Sequence, residues 1–164
     1  MKALFIGGVK SGKSALAEEY TLKHSQEKPY YLATTEFIDS EMQKRIIAHK
    51  KYREDNFITL EEPIHLVDTI KNIDGVVLVE CLSMWINNML YHKKSFDDML
   101  KELEALLTLK NSIVFVLSDV GSCVVPQNKL AREFIDISGK IAQLVARECD
   151  DVFHVIAGIG SKIK

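Results

Sequence analysis

The chain has 164 residues, 47% hydrophobic and 27% charged, and its 21 basic and 23 acidic side chains leave a formal net charge of −2. That length suits a single domain over 1–164 with a buried core, and so balanced a charge gives no reason to expect nucleic acid as a partner. No apolar run reaches the length of a membrane span. Cys81, Cys123 and Cys149 are isolated and odd in number, the pattern of reduced cysteines in a cytoplasmic protein rather than of a disulfide framework or zinc site.

Short apolar runs alternate with longer amphipathic ones along the chain. Ala3-Leu4-Phe5-Ile6 predicts a first buried strand, followed by a glycine-rich loop and a helix from about Lys13 to His24. Tyr30–Ala33 reads as a second strand. Ser40 and Gln43 have capping-box spacing and open a polar helix to about Arg53. A short strand is expected over Phe57–Leu60, then a helix with Pro63 in its first turn, ending near Asn72. Gly75–Glu80 is a buried strand ending in an acid. A short helix around Ser83–Leu90 follows, and Ser95 caps a helix whose Phe96, Met99, Leu100, Leu103 and Leu107 share one face. A strand over Ile113–Leu117, a long helix over Asn128–Cys149 and a last strand over Val152–Ala157 complete the series. The alternation predicts an α/β three-layer sandwich of the P-loop NTPase type on a mainly parallel sheet. Sites in such sheets lie beyond the carboxyl ends of the strands, here Gly7, Ala33-Thr34, Glu80, Ser118-Asp119 and Gly158.

Gly7-Gly8-Val9-Lys10-Ser11-Gly12-Lys13-Ser14 fits the phosphate-loop pattern, and it stands after a strand and before a helix as that pattern requires. Loop amides and the positive end of the helix dipole favour phosphate oxygens, and glycines permit the close approach. Lys13 is placed to reach the β- and γ-phosphates and Ser14 to ligate Mg²⁺, with Glu80 as the second acid that holds the metal or its water. The alternative for Glu80 is an acid that caps a helix or meets solvent. The loop also begins too early for a cleaved signal peptide.

Arg45, His49 and Arg53 are spaced at i, i+4 and i+8 on the Ser40–Arg53 helix, with Lys50 beside them. Neighbouring cations favour the neutral imidazole, a competent nucleophile toward phosphorus. The plainer reading is a solvated basic face carrying an incidental histidine.

These features together resemble the bifunctional adenosylcobinamide kinase / adenosylcobinamide-phosphate guanylyltransferase family of cobalamin biosynthesis. The resemblance runs from the first strand to Lys162-Ile163-Lys164. It is carried by Gly7–Ser14, Tyr31-Leu32-Ala33-Thr34-Thr35, Asp39–Met42 through Arg45-Ile46 to His49-Lys50, Leu78–Leu82, Asp119-Val120-Gly121, Val125–Asn128, Leu130-Ala131-Arg132 and Gly158-Ile159. It implies NTP-dependent phosphorylation of adenosylcobinamide. It also implies GTP-dependent guanylylation of adenosylcobinamide phosphate to adenosylcobinamide-GDP through GMP on His49. By the same resemblance, Gly7, Gly8, Val9, Lys10, Ser11, Gly12, Lys13, Ser14, Ala33, Thr34, Thr35, Lys50, Lys51, Tyr52, Arg53, Glu61 and Glu80 contact nucleotide (GTP or ATP). A homotrimer is implied as well.

Ser118-Asp119 replaces the family's usual Asn-Glu, Ala142 replaces an asparagine, and Ile135 stands where an arginine is common. These departures touch neither the loop nor His49 and point to the corrinoid side or to a subunit contact. Asp119 is a candidate base for the acceptor hydroxyl. Two alternatives stay open: a P-loop kinase for another small alcohol, with His49 on the surface, or a non-catalytic subunit that only senses nucleotide.

Overall fold

The computed structural model describes residues 1–36, 55–122 and 124–164. The expected helix over Ser40–Arg53 falls outside the described residues, as does Cys123. Among the described residues, seven strands form one sheet: β1 (Lys2–Gly7), β2 (Tyr30–Ala33), β3 (Ile58–Glu61), β4 (Val76–Glu80), β5 (Ser112–Ser118), β6 (Asp151–Ile156) and β7 (Ile159–Lys162). Their spatial order is β3-β2-β4-β5-β1-β6-β7, parallel throughout except for the β6–β7 hairpin.

Alternation along the strands sorts side chains onto two faces. Ala3, Phe5, Leu78, Val114, Val116 and Val155 meet Ala17 of α1 (Lys13–Lys23) on one face. Leu4, Leu32, Val77, Val79, Phe115 and Leu117 turn to the other. There they meet α2 (Leu66–Ile70), α3 (Leu82–Tyr91), α4 (Phe96–Thr108) and α5 (Lys129–Glu148). Burying both faces explains why the central strands read as nearly continuous apolar runs. Trp85 of α3 is fully buried, and its indole N–H donates to the Ile64 carbonyl at 2.9 Å, so the large ring is buried without an unpaired donor.

Side-chain caps account for the starts of two helices. Ser95 and Asp98 form a reciprocal capping box at α4. Asn128 caps α5, its Oδ1 accepting from the Ala131 amide at 3.2 Å. Two expectations are corrected. Pro63 lies outside α2, because Glu62 Oε1 accepts from the Ile64 and His65 amides and holds a turn there, so that the helix starts at Leu66. The last strand continues into β7, absent from the sequence reading. Ala157 (φ 51°) and Gly158 (φ 81°) both adopt the left-handed conformation and reverse the chain in two residues.

β1 feeds a helix on one face of the sheet, whereas its neighbour β5 feeds α5 on the other. The crevice at the carboxyl ends of β1 and β5 is therefore the switch point where ligands bind in open α/β sheets. The phosphate loop lies there.

Candidate active site

Backbone geometry shapes the loop before any side chain acts. Gly8 O accepts from the Ser11 amide at 3.2 Å, Lys10 has φ 56° and Gly12 has φ 94°. A Cβ on Gly7 would sit 2.3 Å from Val155 O, and one on Gly12 would sit 3.0 Å from the Cα of Gly158. Both glycines are required by close backbone approach. The β6–β7 turn braces the loop from outside, since the Gly158 amide donates to Ser11 O at 2.7 Å.

Lys13 and Ser14 are the first two residues of α1. Lys13 is 8% exposed, and its ammonium turns back to donate to Gly8 O at 3.2 Å, over the loop it follows. The Ser14 hydroxyl donates to Glu80 Oε1 at 2.7 Å. The structure thus brings the two expected metal-side residues together from 66 positions apart in sequence.

The strand register sets Glu61, Ala33 and Glu80 in a row across the carboxyl ends of β3, β2 and β4. Glu61 is exposed and stands two strands from Glu80, Ala33 is half-buried between them, and Thr35, just beyond the end of β2, is half-buried as well. Thr34 differs from its neighbours. It is fully buried, and its hydroxyl is committed to the backbone of Cys81. His49, Lys50, Lys51, Tyr52 and Arg53 lie outside the described residues. Just before that stretch, Glu36 pairs with His92 at 2.8 Å.

At the end of β5, the Asp119 amide donates to Gly7 O at 2.9 Å, tying the switch-point strands together beyond the sheet. Its carboxylate accepts from the Gly121 amide at 3.1 Å and from the Ser122 hydroxyl at 2.6 Å. Burial pushes the Cys81 thiol up to about 11, so it stays protonated near neutral pH and is a poor nucleophile. The Val125–Arg132 stretch has a local structural use. Arg132 folds back onto the carbonyls of Pro126 and Gln127 at 3.0 and 2.6 Å, next to the Asn128 cap.

Two concavities flank the sheet ends. A groove of about 550 Å³ runs between α3 and α5, lined by Leu90, Tyr91, Val120, Leu130, Phe134 and Ile135. It reaches the carboxyl-end side through Val120, one residue from Asp119. A larger polar concavity of about 680 Å³ lies at the opposite end, around Tyr30, Asp74 and Lys110. It holds no phosphate-loop residue, so the chemistry is assigned to the carboxyl end.

Sequence reasoning passed over Asn88, Ser83 and Gly158 as structural partners of the site. Ser83 Oγ accepts from the Ser118 amide at 2.8 Å, and Asn88 donates to the Thr34 carbonyl at 2.6 Å. Both sit on an otherwise apolar helix face, where a polar residue gives no periodic signal. Gly158 was visible as a strand-end glycine but not as the brace of the loop.

A glycine loop between β1 and α1, a buried lysine and a serine–carboxylate pair at the switch point define a P-loop nucleotide-binding α/β protein. The likeness to solved structures agrees at the level of fold. Flagellar accessory protein FlaH from Methanocaldococcus jannaschii superposes with a TM-score of 0.54 at 11% identity, over 99% of this chain and 77% of that one. KaiC-like protein PH0186 from Pyrococcus horikoshii gives 0.50 at 16% identity, over 93% and 69%. The chain belongs to the cobinamide kinase / cobinamide phosphate guanyltransferase family, whose pattern matches residues 3–163. It is 35% identical to the bifunctional adenosylcobalamin biosynthesis protein CobP of Pseudomonas aeruginosa, over 100% of this chain and 98% of that protein. To the corresponding CobU of Escherichia coli K12 it is 33% identical over the whole of both chains. The family places it among the transferases of cobalamin biosynthesis, with nucleotide and cobinamide substrates. Among the described residues no helix is long and apolar enough to cross a membrane.

Proposed function

We propose that this chain carries out both transfers at one phosphate cradle, phosphorylating adenosylcobinamide and guanylylating adenosylcobinamide phosphate. The observation that carries this reading is the 2.7 Å contact between Ser14 and Glu80 beside the buried Lys13. Loop amides and the Lys13 ammonium would hold the phosphates of ATP or GTP and stabilise charge that develops on them. Ala33, Thr35 and Glu61 border the nucleotide along the strand ends.

The donor pair suits Mg²⁺. Hydroxyl and carboxylate oxygens are hard ligands, and magnesium commonly takes one or two protein groups together with substrate phosphates. Ser14 and Glu80 would hold it, and the bound ion would offset negative charge on the phosphates.

For the guanylyl transfer, His49 is the nucleophile. Its neutral imidazole nitrogen attacks the α-phosphorus of GTP, a P–N bond forms, and the bond to the bridging oxygen breaks to release pyrophosphate. A phosphate oxygen of adenosylcobinamide phosphate then attacks the same phosphorus, and the P–N bond breaks to return His49. Lys50, Lys51, Tyr52 and Arg53 follow the histidine and supply cationic and aromatic contacts to the nucleotide. Family membership supports these assignments together with a cytoplasmic homotrimer, for which light scattering is the direct check.

The groove between α3 and α5 is the surface on which the apolar flank of the corrinoid acceptor would rest, because it opens toward the switch point and carries Ile135, one of the departures from the family pattern.

The decisive experiment is incubation with Mg²⁺ and GTP labelled in its α-phosphate. The expected result is an acid-labile, alkali-stable label on the protein that is lost in His49→Ala. An unlabelled wild-type protein overturns the guanylylation, and a label retained in His49→Ala overturns the assignment of the nucleophile.

A further inference from the structure

Thr34 stands in the row of strand-end residues that border the nucleotide, yet its side chain points into the protein. The hydroxyl donates to the Cys81 carbonyl at 2.8 Å and accepts from the Cys81 amide at 3.0 Å. The Thr34 amide donates to Glu80 O at 3.1 Å. One residue therefore grips the backbone that leaves Glu80 at three points, the Glu80 carbonyl and the amide and carbonyl of Cys81. Thr34 is itself held. Asn88, fully buried on α3, donates from Nδ2 to the Thr34 carbonyl at 2.6 Å and to the Pro63 carbonyl at 3.2 Å. Both side chains are fully buried, so leaving either without its partner is costly.

We infer that Thr34 and Asn88 are positioning residues for Glu80, which hold its carboxylate on the Ser14 hydroxyl and so prearrange the metal side of the phosphate site. The inference rests on the reading of Ser14 and Glu80 given above. It separates Thr34 from Ala33 and Thr35: its hydroxyl serves the protein backbone, and nucleotide affinity in the absence of metal does not depend on it. Residues that orient a metal ligand without touching the metal are worth about 10–100-fold in metal affinity.

Thr34→Val keeps the shape and removes the hydroxyl, and Thr34→Ser restores it. Binding of a fluorescent N-methylanthraniloyl GTP analogue is measured in EDTA and then during titration with Mg²⁺, alongside Glu80→Gln. For Thr34→Val, affinity in EDTA is expected to stay within about twofold of wild type while the Mg²⁺ concentration at half-effect rises about tenfold or more. Thr34→Ser is expected to return it to near the wild-type value. A large loss of affinity in EDTA would make Thr34 a direct nucleotide contact, and an unchanged Mg²⁺ response would show that it positions nothing. Either outcome overturns the inference. Should Thr34→Val fail to fold, Asn88→Ser, too short to reach both carbonyls, takes the same titration with the same expected and overturning results. If Glu80→Gln leaves the Mg²⁺ response unchanged, the metal-side reading itself fails, an outcome separate from Thr34.

Discussion

The Ser14 hydroxyl and Glu80 Oε1 meet at 2.7 Å, joining the first turn of α1 to the carboxyl end of β4 across the face of β1 and β5. Glu80→Gln keeps an oxygen that can accept the Ser14 hydrogen bond and removes only the charge. The fold is therefore expected to survive, with thermal unfolding near wild type. Nucleotidyl and phosphoryl transfer rates are expected to fall roughly 10²–10³-fold, the scale seen when one preorganised electrostatic group is removed. Steady-state assays of both half-reactions, run at several Mg²⁺ concentrations, check this.

Lys13 combines 8% exposure with a hydrogen bond to its own loop at Gly8 O. An ammonium so placed is poised to trade that carbonyl for phosphate oxygens. In Lys13→Ala, phosphorylation of adenosylcobinamide is expected to drop by about 10²-fold or more. Labelling of the protein by α-labelled GTP is expected to fall with it under the proposal of one cradle for both reactions. Loss of the kinase step with intact labelling would divide the two activities between separate sites.

Gly12 and Gly158 touch through backbone alone. At Gly12 a side chain meets both a left-handed φ of 94° and the Cα of Gly158 at 3.0 Å. Gly12→Ala is expected to cost about 1–2 kcal/mol from the backbone conformation alone, or a fall in Tm of roughly 5 °C for a chain of this size. Nucleotide affinity is expected to fall too, since the amides that face phosphate shift with the loop. Gly8→Ala is the control: a Cβ there meets nothing within 4 Å, and its Tm is expected to stay within about 1 °C of wild type.

The loop, the parallel core and the acid at the end of β4 were legible because each follows from a local rule. The run Val76–Val79 is apolar because both faces of β4 are covered, and Gly7–Ser14 carries its own spacing. β7 was not legible, because Ile159–Lys162 is exposed at every position and its turn uses Ala157 where asparagine or aspartate is usual. The inward turn of Thr34 was hidden for another reason. Its partners at Cys81 and Asn88 are 47 and 54 residues away, and a buried threonine at a strand end reads like one that faces a ligand. The start of α2 was misplaced because Glu62 satisfies amides that Pro63 had been expected to place in a helix.

Asp151 ties three elements together: it accepts from the Tyr20 hydroxyl of α1 at 2.5 Å and pairs with Lys162 of β7 at 2.6 Å. Lys162 and then Tyr20 hold its carboxyl below the ordinary value of 3.8. A depressed carboxylate stabilises the fold above its unfolded-state value and loses that contribution as pH falls through its folded-state value. Wild type is therefore expected to exceed Asp151→Asn in stability by roughly 0.5–1 kcal/mol at neutral pH, a modest gap because solvent screens the pair. The gap is expected to be level above pH 5 or so and to close below the ordinary carboxylate value. Urea unfolding of both proteins across that range checks the sign.

Leu130 is 61% exposed on the wall of the groove between α3 and α5, in the first turn of α5, where the helix loses little if the side chain changes. A carboxylate there would face Tyr91, Val120 and Phe134 across the surface proposed above for an apolar flank of the acceptor. Leu130→Asp is expected to fold as wild type, since it removes no core contact and places an acid near a helix N-terminus. Labelling by GTP alone is expected to be unchanged, because that step needs no corrinoid. The KM for adenosylcobinamide is expected to rise about tenfold, the equivalent of losing most of one apolar side chain's contact. Light scattering of the same variant separates the other use of this surface: a change in subunit number with an unchanged KM would assign the groove to a contact between copies instead of to the acceptor.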